Sequence, residues 1–367
     1  MGVIYGNLVG TPPTHPSLYV ADPQKGGHIE GRELLGANVK VYGAIGDGIT
    51  DDYIAIQAAI NASHKNGGGV VVFPAGTYLL SDVLKIHSNQ KIVGEPGAVL
   101  LLGDNMPINT IMRNYYGGQG GYDATENVII QGLTFDGGTV ESASTLFAFC
   151  HARNIRVEGC TFRNGFSTGE PEKGGNGHDI EVNSSKNVTI CGCSFVNNRR
   201  ANVTSELIQI DAATNPECYP WEPDEGERND DGTVCDNVTI RECYFKGEIL
   251  EETSMNVPVG GHSLTASQNV AVEDCVMQDV AYGVRFTVVR NLLAKGNRIV
   301  NAAVGVFTVE ASENVLCVGN VLDDCTAAYP KSRVTGHGNL LNGVHVEEPD
   351  IAGAIVEALG VVENGTY

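Results

Sequence analysis

Apolar and polar residues alternate in short runs along most of this chain, and the runs recur. Aligned on an Asn, seven segments read NVIIQGLTFDG from Asn127, NIRVEGCTFRN from Asn154, NVTICGCSFVN from Asn187, NVTIRECYFKG from Asn237, NVAVEDCVMQD from Asn269, NLLAKGNRIVN from Asn291 and NVLCVGNVLDD from Asn314. Successive spacings are 27, 33, 50, 32, 22 and 23 residues. The shortest fits one turn of a coil, and the longer ones are that turn plus loops. One residue after the Asn come Val, Ile, Val, Val, Val, Leu and Val, and eight after come Phe135, Phe162, Phe195, Phe245, Met277, Ile299 and Leu322. Period-two alternation marks strands. Matching columns put like side chains on like in parallel strands about 4.8 Å apart. The expected fold is all-β: a right-handed single-stranded parallel β-helix, a solenoid whose turns contact only their neighbours.

Six residues after the Asn the column reads Leu133, Cys160, Cys193, Cys243, Cys275, Asn297 and Asn320. Stacked cysteines at an inward position read as small core side chains, because a metal site would need pairs at ligand spacing. The leading Asn column reads as structural, since Asn tolerates left-handed turns and stacked amides bond along a ladder. Cys218 and Cys235 flank the acidic stretch 216–231 and could bridge it in an oxidising setting.

The open N-terminal end of a solenoid needs a cap. GDGITDD offers a turn and a helix N-cap at Thr50 or Asp51, YIAIQAAINASHK has helical apolar spacing at Ile54, Ile56, Ala59 and Ile60, and the GGG of 67–69 ends the helix. VVVFPAGTYLL follows as strand, turn and strand. Residues 349–359 read as a short closing helix. The expected division is a leader or attachment segment at 1–40, the capped β-helix at 41–340 and a closing segment at 341–367.

Composition narrows the picture. The chain has 367 residues with 44 acidic and 23 basic side chains, a formal charge of −21. Nucleic acid, which needs clustered Lys and Arg, is not an expected partner. An acidic polymer is disfavoured unless a cation or a local basic group intervenes. The 46 glycines, about one in eight, suit many short strands joined by tight turns. No apolar run reaches 18 residues, so no membrane span is expected. Residues 1–13 lack a basic start and a long apolar stretch, so no secretory signal is read there. A cytoplasmic protein, a virion part and an extracellular protein with its leader removed all stay open.

VYGAIGDGITDDYIAIQAAI followed by GGGVVVFPAGTYLLS resembles the opening of the pectate-lyase-like β-helix superfamily, shared by polygalacturonases, alginate epimerases and phage tailspike depolymerases. With the repeats, the resemblance covers roughly residues 40–330. Within the superfamily the sequence is most similar to glycoside hydrolase family 28, whose order is an Asn-Thr-Asp strand, an Asp-Asp strand, a Gly-His-Gly turn and Arg-Ile-Lys. HDIEVNSSKNVTI (178–190) looks like the first, with Asp179 and Glu181, and SELIQID (205–211) like the second, with Glu206 and Asp211. GGHSL (260–264) looks like the third, with His262, and YGVRF (282–286) like the fourth, with Arg285. The acidic words are not literal, the turn is Gly-His-Ser, and Thr287 stands where Lys is expected. A galacturonate-carboxylate contact at that Lys therefore does not carry over. A literal GHG at 336–338 follows the last repeat and is set aside. Because one β-helix hosts several reactions, the resemblance speaks to fold more than to chemistry. It also implies that a homotrimer is one possible assembly, by analogy with spike relatives, and it likens the leader to phage tail attachment segments.

Alternation sends Ile180, Val182, Ile208 and Ile210 inward. Asp179, Glu181, Asn183, Gln209 and Asp211 then stand outward on consecutive turns, with the direction of Glu206 open. Several carboxylates on one solvent-facing patch raise at least one pKa, which is what glycoside hydrolysis requires of its two acids. Asp211 or Glu206 is the expected general acid and Asp179 or Glu181 the expected base. His262 and Arg285 from later turns support or bind, and His178 ends a loop beside them. Tyr219 and Trp221 are candidates for a sugar-stacking platform or for packing that loop. The expected function is a polysaccharide-degrading glycoside hydrolase acting on a poly- or oligosaccharide with no required cofactor or metal. The alternatives are a non-catalytic glycan- or receptor-binding phage tail protein and a Ca²⁺-dependent polysaccharide lyase with Arg285 as base. The lyase ranks below the hydrolase because the acids have only one plausible basic partner.

Overall fold

Each repeat bends twice, and the bends fall where the sequence places residues that tolerate the left-handed region. The computed structural model describes residues 36–346 apart from 105, 108, 118, 168–176, 201–205, 213–230, 248–255, 310 and 330–333. Asn127, Asn154, Asn187, Asn237, Asn269, Asn291 and Asn314 all sit at φ between 54° and 59°, a region Asn enters at low cost. These corners open the strands of a first face, such as Thr125–Gln131, Ala152–Glu158, Lys186–Cys191 and Asp236–Arg241. A second face carries Thr134–Asp136, Thr161–Arg163, Ser194–Arg200 and Tyr244–Gly247. A third carries Thr110–Asn114, Thr145–Cys150, Ile180–Asn183, Ile208–Asp211 and Val259–Gly261. Val276–Phe286 and Arg298–Thr308 run continuously from the second face into the third. Apart from the closing hairpin, every pairing among the described strands is parallel, and the chain is a right-handed parallel β-helix.

The columns seen in the sequence are true registers. Val128, Ile155, Val188, Val238, Val270, Leu292 and Val315 pair in succession on the first face. Phe135, Phe162, Phe195 and Phe245 do so on the second, with ring centroids 4.8, 5.1 and 4.6 Å apart. Beside them the Cys column is buried, and Cys193 and Cys243 point their thiols at carbonyls one turn back, 3.6 Å to Val157 O and 3.8 Å to Ile190 O. Asn297, Asn320 and Asn339 continue that column. Each amide donates to the next Oδ1 at 3.0 and 2.9 Å, and the Cys275 N–H donates to Asn297 Oδ1 at 3.0 Å. Asn fits there because every donor and acceptor it buries is met by a neighbouring turn. The exposed Asn corners form a second ladder, from Asn127 to Asn89 at 2.9 Å through Asn237 to Asn187 at 2.9 Å. It breaks once, where Asn269 donates to Asp236 at 2.7 Å.

Helix Tyr53–Lys65 closes the N-terminal end and buries Ile56, Ala59, Ile60 and Ser63. Two expectations fail here. Ile54 is 72% exposed, because it falls on the helix face opposite Ile56 and Ile60. The N-cap is Asp52 rather than Thr50 or Asp51, which belong to strand Asp47–Asp51. Asp52 makes no side-chain cap bond and instead accepts the Ile45 and Gly46 N–H groups at 2.6 and 2.9 Å, tying the incoming chain to the helix. At the other end the coil continues past the last repeat. Val334–His337 adds a turn to the first face, so the GHG histidine, His337, lies far from the third face in the fold's order. Asn339–Leu341 and Val344–Val346 then close the coil as an antiparallel hairpin. The helix expected at 349–359 and the leader lie outside the described residues. No described helix is long and apolar enough to cross a membrane.

Candidate active site on the third face

The third face has an inner and an outer row, and the outer one departs from the repeat. Inward, Phe147, Ile180, Ile208, Val259 and Val284 pair in succession and are fully buried in the core. Outward, Arg113, Ala148, Glu181, Gln209, Gly260 and Arg285 pair in succession, and one pleat further along Cys150, Asn183 and Asp211 do the same. Residues far apart in sequence thus share one patch.

That patch is covered, where the sequence reading expected it to face solvent. Asp179, Glu181, Glu206 and Asp211 are 0%, 3%, 0% and 4% exposed. Glu206 lies against His178 and Gly260, Glu181 against Asn183, and Asp211 against the backbone of 261–263. Glycine makes this possible: a Cβ on Gly260 would lie 2.9 Å from Glu206 Cγ, and one on Gly261 2.7 Å from Asp211 Oδ1. His262 and Arg285 keep side-chain exposures of 27% and 18%, so they are the members best placed to meet a ligand.

Glu206 lies at the centre. Its Oε2 is 3.4 Å from His262 Nδ1 and 3.9 Å from His178 Nδ1, and its Oε1 is 3.9 Å from Arg285 Nη1. His178 Nδ1 also bonds the Glu206 carbonyl at 2.8 Å. Asp211 accepts the Ser263 and His262 N–H groups at 3.0 and 3.3 Å and lies 3.6 Å from His262 Nδ1. Glu181 accepts the Asn183 amide at 2.7 Å. Asp179 is engaged elsewhere, accepting at 2.5 Å from Asn198, whose amide also bonds Phe162 O and Gly165 N. That bond ties the third face to the second and sets Asp179 apart from the other three acids.

These surroundings spread the acidities. Burial pushes Glu181 up to about 8, helped by the Asp211 charge and only partly opposed by its bond from Asn183. Burial also raises Asp211, to about 6, with His262 and two backbone N–H groups holding it down. Burial works against Glu206 too, but His262 and His178 outweigh it and keep this carboxyl below its usual range. Burial opposes the charge on His262, yet Glu206 and Asp211 lift it to about 9. At neutral pH the site therefore holds a protonated Glu181, anionic Glu206 and Asp211, and an imidazolium.

The acids do not form a calcium cradle. Among the described residues no group of three or more His, Cys, Asp or Glu is arranged to hold a metal. The His262 ring occupies the space between Glu206 and Asp211 where a cation would sit. Cys235 is a free, buried thiol directed at the carbonyls of Val182 and Asp211. Cys218, its possible partner in a bridge, lies outside the described residues, as do Tyr219 and Trp221. The sequence reading missed Thr145, one turn before Glu181 and bonded to it. It also missed Arg113, two turns before Glu181 in the same outer row. The signal for Arg113 was its outward position in a strand outside the aligned motifs; Thr145 has the parity of inward Phe147, so alternation gave no signal for it.

Fold and site together define a right-handed parallel β-helix protein with buried acids beside a partly exposed histidine and arginine. Residues 36–215 match the family model described as Rhamnogalacturonase A/epimerase, pectate lyase-like. The chain is 30% identical over 293 residues to Plasmin and fibronectin-binding protein A of Streptococcus pneumoniae, which is 71% of this chain and 38% of that protein. It is 41% identical over 111 residues to Mannuronan C5-epimerase AlgE2 of Azotobacter vinelandii, 27% of this chain and 11% of that one. The chain therefore spans well under half of these curated relatives. Among solved structures it resembles PfbA, a surface adhesin of Streptococcus pneumoniae, with a TM-score of 0.66 at 24% identity over 83% of this chain and 79% of that one. It also resembles a family 28 exopolygalacturonase of Yersinia enterocolitica, with a TM-score of 0.51 at 16% identity over 83% and 75%.

Proposed function

We propose that the protein acts on a polysaccharide and hydrolyses its glycosidic bonds on the third face. The observation that carries this reading is the split between two carboxyls on adjacent turns, Glu181 at about 8 and Asp211 at about 6. Strand geometry puts their Cα atoms on a diagonal of about 8 Å, one strand spacing by two residues. Glu181 keeps its proton at neutral pH and gives it to the leaving glycosidic oxygen as the C–O bond breaks. Asp211 accepts a proton from the water whose oxygen bonds to the anomeric carbon. These roles reverse those expected from the sequence, because His262 stands beside both Glu206 and Asp211, whereas Glu181 has no cationic partner within ion-pair distance among the described residues. His262 and Arg285 hold substrate oxygens. The family match and the mannuronan epimerase relatives agree with a carbohydrate ligand, and the surface-adhesin neighbour with an extracellular setting.

A panel of neutral and uronic-acid polymers tests this. New reducing ends without ultraviolet-absorbing products mark hydrolysis. Unsaturated ends mark elimination, and altered ring configuration without shortening marks epimerisation. A second reading, a non-catalytic binder, is favoured by the 30%-identical relative named for binding plasmin and fibronectin. Glycan retention with no chemical change across the panel identifies it.

A further inference from the structure

We propose that Glu206 is a positioning residue, a buried anion that fixes His262 as an imidazolium with its partly exposed edge presented to the ligand. This rests on the third-face site described above and assigns a role within it. Glu206 is fully buried and presents no exposed edge to a ligand. Its side chain runs beneath Gly260, where any Cβ would collide with its Cγ. From there Oε2 faces His262 Nδ1 at 3.4 Å, and neither carboxylate oxygen has a hydrogen-bond partner of ordinary geometry. A buried carboxylate in this state is stabilised by charge rather than by neutral donors, so a cation must stay beside it.

Every group facing the His262 ring bears on its charge. Asp211 lies 3.6 Å away and favours the cation, whereas Arg285 opposes it. Glu181 is close enough for the two to feel each other, but it holds a proton at neutral pH. The His178 ring is stacked at 6.4 Å and gives its own Nδ1 to the Glu206 carbonyl. The Gln209 amide nitrogen lies 3.4 Å from both ring nitrogens, while its Oε1 is buried without a partner. Turning that amide over presents Oε1 as an acceptor to the imidazolium, which relieves both faults. The Nδ1–H is then taken by the carboxylates and the partly exposed edge is left as a cationic donor.

The full chain with ¹³C,¹⁵N-labelled histidine, titrated by NMR from pH 5 to pH 10, tests the clamp. His262→Gln assigns the resonance. In the wild type it stays protonated through neutral pH. Glu206→Gln lowers its midpoint by roughly one unit or more, and Glu206→Asp recovers part of the shift. An unchanged midpoint in folded Glu206→Gln overturns the proposal. Should that variant not fold, the reciprocal measurement decides: in His262→Gln the labelled Glu206 carboxyl must titrate at higher pH than in the wild type, and no change there overturns the clamp equally. No substrate enters these readouts, so failure to cleave any polymer bears on the hydrolase reading alone.

Discussion

The Asn ladder and the acid cluster are both rows of polar side chains across successive turns, yet they are built in opposite ways. Ladder residues are exposed and neutral, each but Asn269 donates to the same residue one turn back, and all share one backbone conformation. The third-face row changes identity at every turn, is buried, and sets three carboxyls against two histidines and an arginine. Repetition signals a structural job, because one interaction solves one geometric problem many times. Buried, non-repeating charge costs folding free energy at a single place and calls for a chemical reason.

The largest expected effect separates the core from both rows. Phe195→Ala in the aromatic stack should cost about 3–5 kcal/mol by denaturant unfolding, since no neighbouring turn can fill the space. At low temperature, activity per folded molecule should be kept. Glu181→Gln should do the reverse, lowering polymer turnover about 10²–10⁴-fold while leaving stability unchanged or raised. Activity lost only in proportion to folded protein would put Glu181 with the structural residues.

Next in size is the pH dependence of stability. Glu181, Asp211 and His262 all have folded pKa values above their unfolded ones, near 8, 6 and 9. Their contribution is complete below the unfolded values of about 4.5, 3.8 and 6.5 and is lost as pH rises through the folded ones. Glu206, lowered, has the opposite sign and loses its contribution in acid. Thermal melts should therefore show stability falling between pH 5 and pH 9, by at most ~1.4 kcal/mol per pH unit for each proton involved. Glu181→Gln should flatten the part between 4.5 and 8; a wild-type slope in that variant would contradict the burial of Glu181. The smallest effect belongs to the ladder. Asn187→Ala places Ala at φ 54° and removes two exposed amide bonds, one given to Asn154 and one taken from Asn237, costing about 1–2 kcal/mol, whereas Asn187→Gly should recover the backbone part of it.

The coil was legible because its columns are spaced by chain repeats, and Phe135 to Phe245 pair as the sequence implies. The ends were less so. Ile54 and the Asp52 cap depend on how one helix docks, and no repeat constrains that. On the third face, alternation and chain order gathered Glu181, Glu206, Asp211, His262 and Arg285, but not their burial or their order of acidity. Those depend on Gly260 and Gly261 giving way to side chains from another turn and on His262 inserting between Glu206 and Asp211. Asp179 looked equivalent to Glu181 by alternation; the Asn198 amide on a different face separates them.

The most direct test of the account pairs Glu181→Gln with Asp211→Asn, two near-isosteric amides, on a polymer that the wild type shortens. Bound polymer and released ends are measured on the same folded samples. The account predicts retained binding with chain cleavage reduced to background. Cleavage at the wild-type rate by the doubly substituted protein would contradict it.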